Sequence, residues 1–468
     1  MSRLAAALVF IALLGGAYLR FNNLGALQMS ADEGATWAAA DAPSIREVIA
    51  LQRTHNPGKL PLHDLTLHGW IAIFGDSLAA MRALSALLGI VTIILMLPLT
   101  REIFRVRLHG DGPPVSPSDI DMIGALSALI CAVSLVTIKY EREARMYGLL
   151  LALAIAHLWF FLRALRRQAF VDYVILALLT SALIAVNLVT ISMLAVEGIW
   201  LFAILFSPRI DYPDRVKSVI KTELAIIAGI AILSPALYVL LTVGREAMEA
   251  GKVDWLVRPP WWEPLSFFNK ATGSVAFPVV FALAVWGLWR AWLRARGALA
   301  FTLLVMWAPP LILVAGSFVW RPMFMERYAI YSFPAFFILI ALGIWELSSN
   351  AARAVAVMAI VILAVGHIHS YSLKTHDVDW HEAARVAQAS LRPDDTVAVA
   401  PPYAIEVVRY YFYPPLRGHV VGYNPPKTNS AVAILAEHGV NPAIDAQVRR
   451  DYPRVLRRAH GVVVLSRR

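Results

Sequence analysis

Long apolar segments alternate with short polar connections from the start of the chain to about position 370. Eleven segments have close to the roughly 20 residues with which a helix crosses the hydrocarbon core of a bilayer. The predicted spans are residues 4–21, 78–99, 122–139, 147–165, 171–188, 190–207, 222–243, 274–292, 299–319, 328–346 and 352–370. No good small-residue cleavage site follows the first segment, so we interpret it as a retained helix. The pattern predicts an all-α polytopic membrane domain over residues 1–370.

Basic residues indicate which connections face the cytoplasm, because Lys and Arg are enriched in short cytoplasmic loops. They follow alternate spans, from the second to the tenth, at Arg101, Arg105, Arg107, Arg163, Arg166, Arg167, Arg209, Arg215, Lys217, Lys221, Arg290, Arg294, Arg296 and Arg353. The amino terminus is then cytoplasmic, and the odd number of spans places the carboxyl end outside. The long outer segments are 22–77, 244–273 and the tail 371–468, so we expect the chemistry on the outer face.

The tail has a different pattern, in which short apolar runs stand between turns and helical stretches. We predict strands at Thr396–Ala400 and Gly461–Leu465, and helices at Asp379–Leu391, Ala404–Phe412 and Ala431–His438. This mixture predicts a small extracytoplasmic α/β domain over residues 371–468.

Composition agrees with a membrane location and excludes several other classes of protein. The 468 residues are 59% hydrophobic and 16% charged, whereas soluble chains carry about 25% charged residues. The net charge of +10 lies mostly in the short loops, so it is a topology signal and not a nucleic-acid footprint. The single cysteine, Cys131, excludes an intrachain disulfide.

Two adjacent acidic residues, Asp32 and Glu33, come shortly after the first predicted span. A carboxylate at the outer boundary of the membrane has the chemistry of a general base, which takes a proton from an acceptor hydroxyl or amine. The alternative is structural, because acidic residues also occur as solvated loop pairs and at helix amino termini.

Charges are also concentrated in the segment from Glu141 to Tyr147, between the third and fourth spans. Charges at a membrane boundary usually face a cavity or each other. The planar guanidinium of Arg145 suits bidentate contact with a phosphate, and Glu143 could orient it. A plain cluster of ion pairs is the alternative.

A third charged cluster contains Arg321, Glu326, Arg327 and Tyr328 and leads into the tenth span. Arginine at the headgroup level can bind a lipid phosphate. Arg and Tyr are also common interfacial anchors, which is the competing interpretation.

Several motifs together resemble the dolichyl-phosphate-mannose protein mannosyltransferase and aminoarabinose transferase superfamily, whose membrane domain has the GT-C fold. The matching stretches are Ala31-Asp32-Glu33, Pro61–Trp70, Phe74–Ser77, Met81–Leu87, Arg142–Tyr147 and Arg327-Tyr328 followed by Pro334. They extend from the first helix to the tenth span. The tail does not resemble the β-trefoil domain of the eukaryotic members, which favours a bacterial enzyme of the inner membrane with a periplasmic tail.

The resemblance implies an inverting sugar transfer from a polyprenyl-phosphate donor to a lipid, glycan or protein acceptor. Asp32 would be the base, and Glu33 its substitute or a helper that orients the loop. The further roles implied are donor phosphate binding by Arg145, Arg327 and Arg321, positioning by Glu143, and support by Arg82, Tyr147 and Tyr328. No DxD-type acidic pair is present, so we expect no cofactor and no divalent metal.

Two other functions remain open at the level of sequence. A transporter or flippase of lipid-linked glycans would account for the spans and the arginines, but not for the acidic pair or the tail. A membrane scaffold would leave the boundary charges without a role. The fate of the donor distinguishes them, since only an enzyme releases polyprenyl phosphate.

Overall fold

The computed structural model describes residues 1–210, 212, 214–249, 256–272, 276–372, 378–424, 430–438 and 440–467. The chain divides into two compact units. The helical unit contains Met1–Asn22, Pro57–His63 and Ala83–Tyr371. The α/β unit contains Asn23–Asn56, Asp64–Arg82 and Ser372–Arg468.

The described residues form 20 α-helices and five strands. The helices are α1 (Arg3–Phe21), α2 (Ala31–Ala40), α3 (Ile45–His55), α4 (Leu62–Phe74), α5 (Leu78–Ile103), α6 (Pro117–Val133), α7 (Leu135–Glu141), α8 (Tyr147–Arg167), α9 (Phe170–Val186), α10 (Ile191–Phe206), α11 (Arg215–Ile232), α12 (Ser234–Glu249), α13 (Glu263–Thr272), α14 (Phe277–Arg294), α15 (Arg296–Val319), α16 (Phe333–Trp345), α17 (Asn350–Ser372), α18 (Trp380–Ala389), α19 (Ile405–Tyr411) and α20 (Pro442–Asp451). The strands are β1 (Val397–Ala400), β2 (Val420–Gly422), β3 (Val432–Ala436), β4 (Arg454–Ala459) and β5 (Val462–Ser466).

The helical unit confirms the predicted polytopic membrane domain. Each of the eleven predicted spans coincides with a helix or a bent pair of helices. Among the described residues, six helices are long and apolar enough to cross a membrane, or eight if each bent pair counts as one span. The helices Phe170–Val186 and Phe333–Trp345 are apolar but shorter. The count of eleven spans is therefore not confirmed and stays a prediction.

Two of the spans are broken, each by a bend between two helices. α11 and α12 meet at an angle of 62°, where Pro235 at the start of α12 cannot donate a backbone hydrogen bond to the preceding turn. α6 and α7 meet at 59° on either side of Ser134. The second break directs the chain into the charged segment that begins at Arg142.

The α/β unit is built on one five-stranded sheet in the order β2-β1-β3-β5-β4. β1 pairs in parallel with β2 and β3, while β5 pairs antiparallel with β3 and β4. The three central strands are buried along their whole length, as expected for strands that are covered on both faces. Edge strand β4 is mostly exposed and contains Arg454, Arg457 and Arg458, which discourages pairing with a further strand.

The structure corrects one prediction for the tail. The predicted helix Ala431–His438 is instead strand β3, Val432–Ala436. Its run of apolar residues suits the middle of a sheet, and strand pairing on both sides outweighs the helix propensity of alanine and leucine. The other four predicted elements of the tail are confirmed with shifted ends.

The predicted outer loop 22–77 contributes to the α/β unit. Residues 23–56 and 64–82 belong to the same compact unit as the tail. Gly34 in α2 marks the contact, because a Cβ there would lie 2.6 Å from the backbone nitrogen of Val407 in α19. The division of the chain at residue 370 stays a prediction, and the compact units follow a different boundary.

Candidate functional site

The predicted base lies in the first turn of α2, which has a strong amino-terminal cap. The Ser30 side chain accepts a hydrogen bond from the backbone of Glu33, and the Glu33 carboxylate accepts one from the Ser30 backbone, which forms a capping box. Asp32 is exposed, whereas Glu33 is buried. The helix therefore presents one of the two adjacent carboxylates outward and holds the other inside.

Arg82 is the residue that holds Glu33. Its Nε and Nη2 atoms donate to the two carboxylate oxygens of Glu33, each at 2.8 Å. The same guanidinium donates to the carbonyl oxygens of Leu24, Leu27 and Gln28 at 2.7–3.0 Å. One buried side chain thus fixes both the loop before α2 and the first turn of the helix, which is a positioning role for Arg82 and Glu33.

Residues of the tail also form hydrogen bonds with the loop before α2. The Gln28 amide donates to the Asp379 carboxylate at 2.6 Å. The Met29 backbone N–H donates to the Tyr411 hydroxyl at 2.7 Å. Burial raises the pKa of Tyr411 to about 12. The loop that leads to Asp32 is therefore anchored within the α/β unit at successive residues.

A second group of polar side chains lies at the other end of α2. The Arg417 guanidinium stacks on the Trp37 ring at 4.7 Å and lies 3.9 Å from the Asp41 carboxylate. Burial is the main cause that raises the pKa of Asp41 above its ordinary value, and the negative charge of the nearby Asp76 raises it further. Sequence reasoning did not single out this group, because its members are far apart along the chain.

In the helical unit, the segment from Arg142 to Met146 forms an irregular turn between α7 and α8. The Arg142 guanidinium donates to the Leu19 carbonyl at 2.6 Å. The Ser85 hydroxyl donates to the Arg145 carbonyl at 3.2 Å. Arg145 is buried, while Glu143 is half-buried. The predicted phosphate-binding arginine is thus held through its backbone by Ser85.

The structure brings this turn together with the charged segment before α16. The Arg327 guanidinium lies 5.8 Å from the centre of the Tyr147 ring, within cation–π range. Glu143, Glu326 and Arg327 all act electrostatically on Tyr140. Arg321 and Tyr328 are half-buried in the same segment as Arg327. Two segments that are about 180 positions apart in sequence therefore form one charged cluster, which we call the arginine cluster (Glu143, Arg145, Glu326 and Arg327).

Several buried ionisable residues were missed by sequence reasoning. Lys59 is buried in the segment Pro57–His63. Arg20, which was also missed, forms a buried ion pair at 2.6 Å with Glu141, the first residue of the charged segment. Nδ1 of the buried His157 lies 2.8 Å from a carboxylate oxygen of the buried Glu197. An ionisable residue inside an apolar span is itself a signal of a specific partner. Within the described ranges, no three His, Cys, Asp or Glu side chains come together in a way that could hold a metal ion.

No family model matches the sequence, and no curated protein matches it. The fold, in contrast, matches solved structures. ArnT from Cupriavidus metallidurans in its apo state has a TM-score of 0.64 at 13% identity, over 99% of this chain and 97% of that chain. The chain has the GT-C fold. The same ArnT bound to undecaprenyl phosphate gives a TM-score of 0.65 at 13% identity, over the same shares of the two chains.

A second GT-C structure is similar over much of the chain. The archaeal oligosaccharyltransferase AglB from Archaeoglobus fulgidus was solved with an inhibitory peptide and a dolichol-phosphate. It has a TM-score of 0.50 at 11% identity, over 93% of this chain and 69% of that chain. The resemblance seen in the motifs is thus confirmed at the level of the fold.

Proposed function

We propose that the protein is an inverting glycosyltransferase that moves a sugar from a polyprenyl-phosphate donor to an acceptor on the outer face of a bacterial inner membrane. The observation that carries the proposal is the exposed Asp32 carboxylate beside Glu33, whose own carboxylate is occupied by Arg82. A general base needs a solvent-accessible carboxylate at a fixed position. The fold shared with ArnT, which was solved with undecaprenyl phosphate, supports the donor class.

In the proposed reaction, Asp32 accepts the proton from an acceptor hydroxyl or amine. The acceptor oxygen or nitrogen forms a bond to the anomeric carbon from the side opposite the phosphate. The bond between that carbon and the phosphate oxygen breaks, and its electron pair leaves with polyprenyl phosphate. A single displacement of this kind inverts the anomeric configuration.

The leaving phosphate gains negative charge as the bond breaks, and fixed cations stabilise that charge. We assign this role to Arg145 and Arg327 of the arginine cluster, with Arg321 as a further cation. Glu143 positions the arginines, Tyr147 supports Arg327 through its ring, and Tyr328 supports the segment. These cations supply the charge that a metal would otherwise supply, so we expect full activity in the presence of a chelator.

The testing experiment compares wild type with Asp32→Asn on a panel of polyprenyl-phosphate sugars and an envelope extract as acceptor source. Release of free polyprenyl phosphate by wild type and not by Asp32→Asn, with equal thermal stability, supports the proposal. Intact donor that crosses vesicle membranes in the presence of either protein would instead support lipid-sugar transport. Unchanged release by Asp32→Asn would exclude Asp32 as the base.

A further inference from the structure

Arg20 is the most completely buried basic residue of α1, a helix that is otherwise largely exposed on the surface of the helical unit. Its side chain has no exposed area, although it lies in the last turn of an apolar span. Removing a guanidinium from water costs several kcal/mol unless an opposite charge and hydrogen bonds compensate it. A residue with this cost needs a specific function.

The contacts of Arg20 use nearly all its donors. Nε and Nη2 approach the same carboxylate oxygen of Glu141, at 2.7 and 2.6 Å. Nη1 donates to the carbonyl oxygens of Gly16 and Ala132, and Nη2 donates to that of Cys131. The guanidinium is therefore held in a single orientation.

Two of these contacts satisfy backbone carbonyl groups that the break between α6 and α7 leaves without partners within the helix. The last carbonyl groups of a helix have no partners within the helix, and a membrane interior offers no water to replace them. Arg20 donates to the carbonyls of Cys131 and Ala132 at the end of α6, and the Thr137 hydroxyl also donates to that of Cys131. The break, with its angle of 59°, is stabilised by a side chain from another helix.

The ion pair between Arg20 and Glu141 is directly connected to the arginine cluster by the backbone that follows Glu141. Glu141 is the last residue of α7, and Arg142 and Arg145 follow in the turn. Arg142 binds the carbonyl of Leu19, the residue before Arg20. Gly89 of α5 permits the arrangement, because a Cβ there would lie 2.6 Å from Nε of Arg20 and 2.7 Å from the Glu141 carboxylate.

We propose that Arg20 and Glu141 are positioning residues for donor phosphate binding. The pair fixes the end of α7 and so sets the place of Arg145, which itself binds the phosphate. This inference rests on the proposed function for the identity of the ligand, although the positioning of the turn can be measured without any ligand.

The experiment compares Glu141→Gln with Glu197→Gln in the full-length protein in detergent. Both changes replace a fully buried carboxyl group that contacts a buried basic side chain, but Glu197 contacts His157 and not the charged turn. Three quantities are measured: amide hydrogen exchange of residues 142–147, the Kd for undecaprenyl phosphate, and the unfolding midpoint. Arg20→Lys serves as a second variant, because it retains the charge and loses the fork of donors.

We expect both Gln variants to lower the unfolding midpoint. Only Glu141→Gln is expected to accelerate exchange in the turn and to weaken undecaprenyl phosphate binding by roughly 10-fold to 100-fold, the loss typical of small displacements of positioned groups. Arg20→Lys is expected to give a smaller change in the same direction. If Glu141→Gln does not fold, Arg20→Lys is compared with Glu197→Gln by the same criteria.

The proposal is overturned if exchange and Kd in Glu141→Gln match wild type, or if Glu197→Gln loosens the turn to the same extent. Failure of wild type to bind undecaprenyl phosphate would count against the proposed function instead. Hydrogen exchange then decides by itself whether Arg20 and Glu141 position the turn.

Discussion

Arg82 and Glu33 form a bidentate ion pair, in which Nε of Arg82 lies 2.8 Å from one carboxylate oxygen of Glu33 and Nη2 lies 2.8 Å from the other. This pairing gives the two adjacent acids different surroundings. Glu33 is held by Arg82, and the exposed Asp32 is the carboxylate that we propose accepts the proton. The pair also explains why a capping box, which usually contributes only to helix stability, stands next to the proposed base.

Arg82→Lys tests whether this pair positions Asp32. A lysine ammonium cannot bind both oxygens of Glu33 and three loop carbonyls in the same geometry. We expect kcat for polyprenyl phosphate release to fall about 100-fold, as for other small misplacements of a reacting group, while the donor KM changes little. Arg101→Lys, which changes an arginine paired with Asp121, is the control and is expected to retain wild-type kcat. An unchanged kcat in Arg82→Lys would contradict the positioning role.

Gly34→Ala tests the close contact between α2 and α19. The added methyl group would overlap the Val407 backbone, which cannot move as readily as a side chain. We expect a loss of about 1–3 kcal/mol in the free energy of unfolding of the α/β unit, together with lower kcat. Gly69→Ala is the matched control, because it lies in helix α4 of the same unit and its Cβ would meet no atom within 4 Å. A Gly34→Ala protein as stable as Gly69→Ala would exclude this contact as a constraint.

Arg327→Ala tests the proposed binding of the donor phosphate. The change removes one cation of the arginine cluster, so the donor KM should rise and kcat should fall, while the acceptor KM stays near wild type. Each charge-assisted hydrogen bond lost is worth about 1.5–3 kcal/mol, which corresponds to roughly 10-fold to 100-fold in kcat/KM. Arg353→Ala, which also removes an arginine stacked on an aromatic ring, is the control. Equal effects of the two changes on donor use would refute the assignment.

Tyr411→Phe tests the anchoring of the loop at Met29 through the pH dependence of stability. Burial raises the pKa of Tyr411 from 10.0 to about 12. The unfolded chain therefore releases this proton at lower pH than the folded chain, and the contribution to stability is present below pH 10 and is lost as pH rises to about 12. We expect the unfolding midpoint of wild type to fall more steeply across this window than that of Tyr411→Phe. Parallel curves would show that the hydroxyl is not buried as described.

Much of the helical unit follows from hydropathy alone. Each predicted span coincides with a helix or bent pair, because a segment that crosses lipid has to satisfy its backbone polar groups internally. The break between α6 and α7 could not be predicted in the same way. The break is stabilised by Arg20, which lies more than 110 positions away in sequence. A side chain from another helix that binds the last carbonyl groups of a helix cannot be recognised from the sequence around the break.

The motifs identified Asp32, Glu33, Arg145 and Arg327 by residue type and by their place beside apolar spans. They could not assign different roles to Asp32 and Glu33, since two adjacent carboxylates have the same chemistry until their surroundings differ. The partner that distinguishes them is Arg82, 49 positions from Glu33. Lys59 was missed for a related reason, because burial of a lysine is a property of its neighbours and not of its own sequence context.

The sequence by itself determined where the chain is apolar for long enough to cross a membrane and where charges accumulate at the ends of those spans. These properties depend on neighbouring residues, and the free energy of transfer into lipid acts on each segment separately. Tertiary structure decided that 432–436 is a strand, that Glu33 is occupied while Asp32 is exposed, and that the turn after Glu141 lies beside Arg327. Each of these outcomes rests on contacts between distant parts of the chain, where packing, strand pairing and ion pairs outweigh local preference.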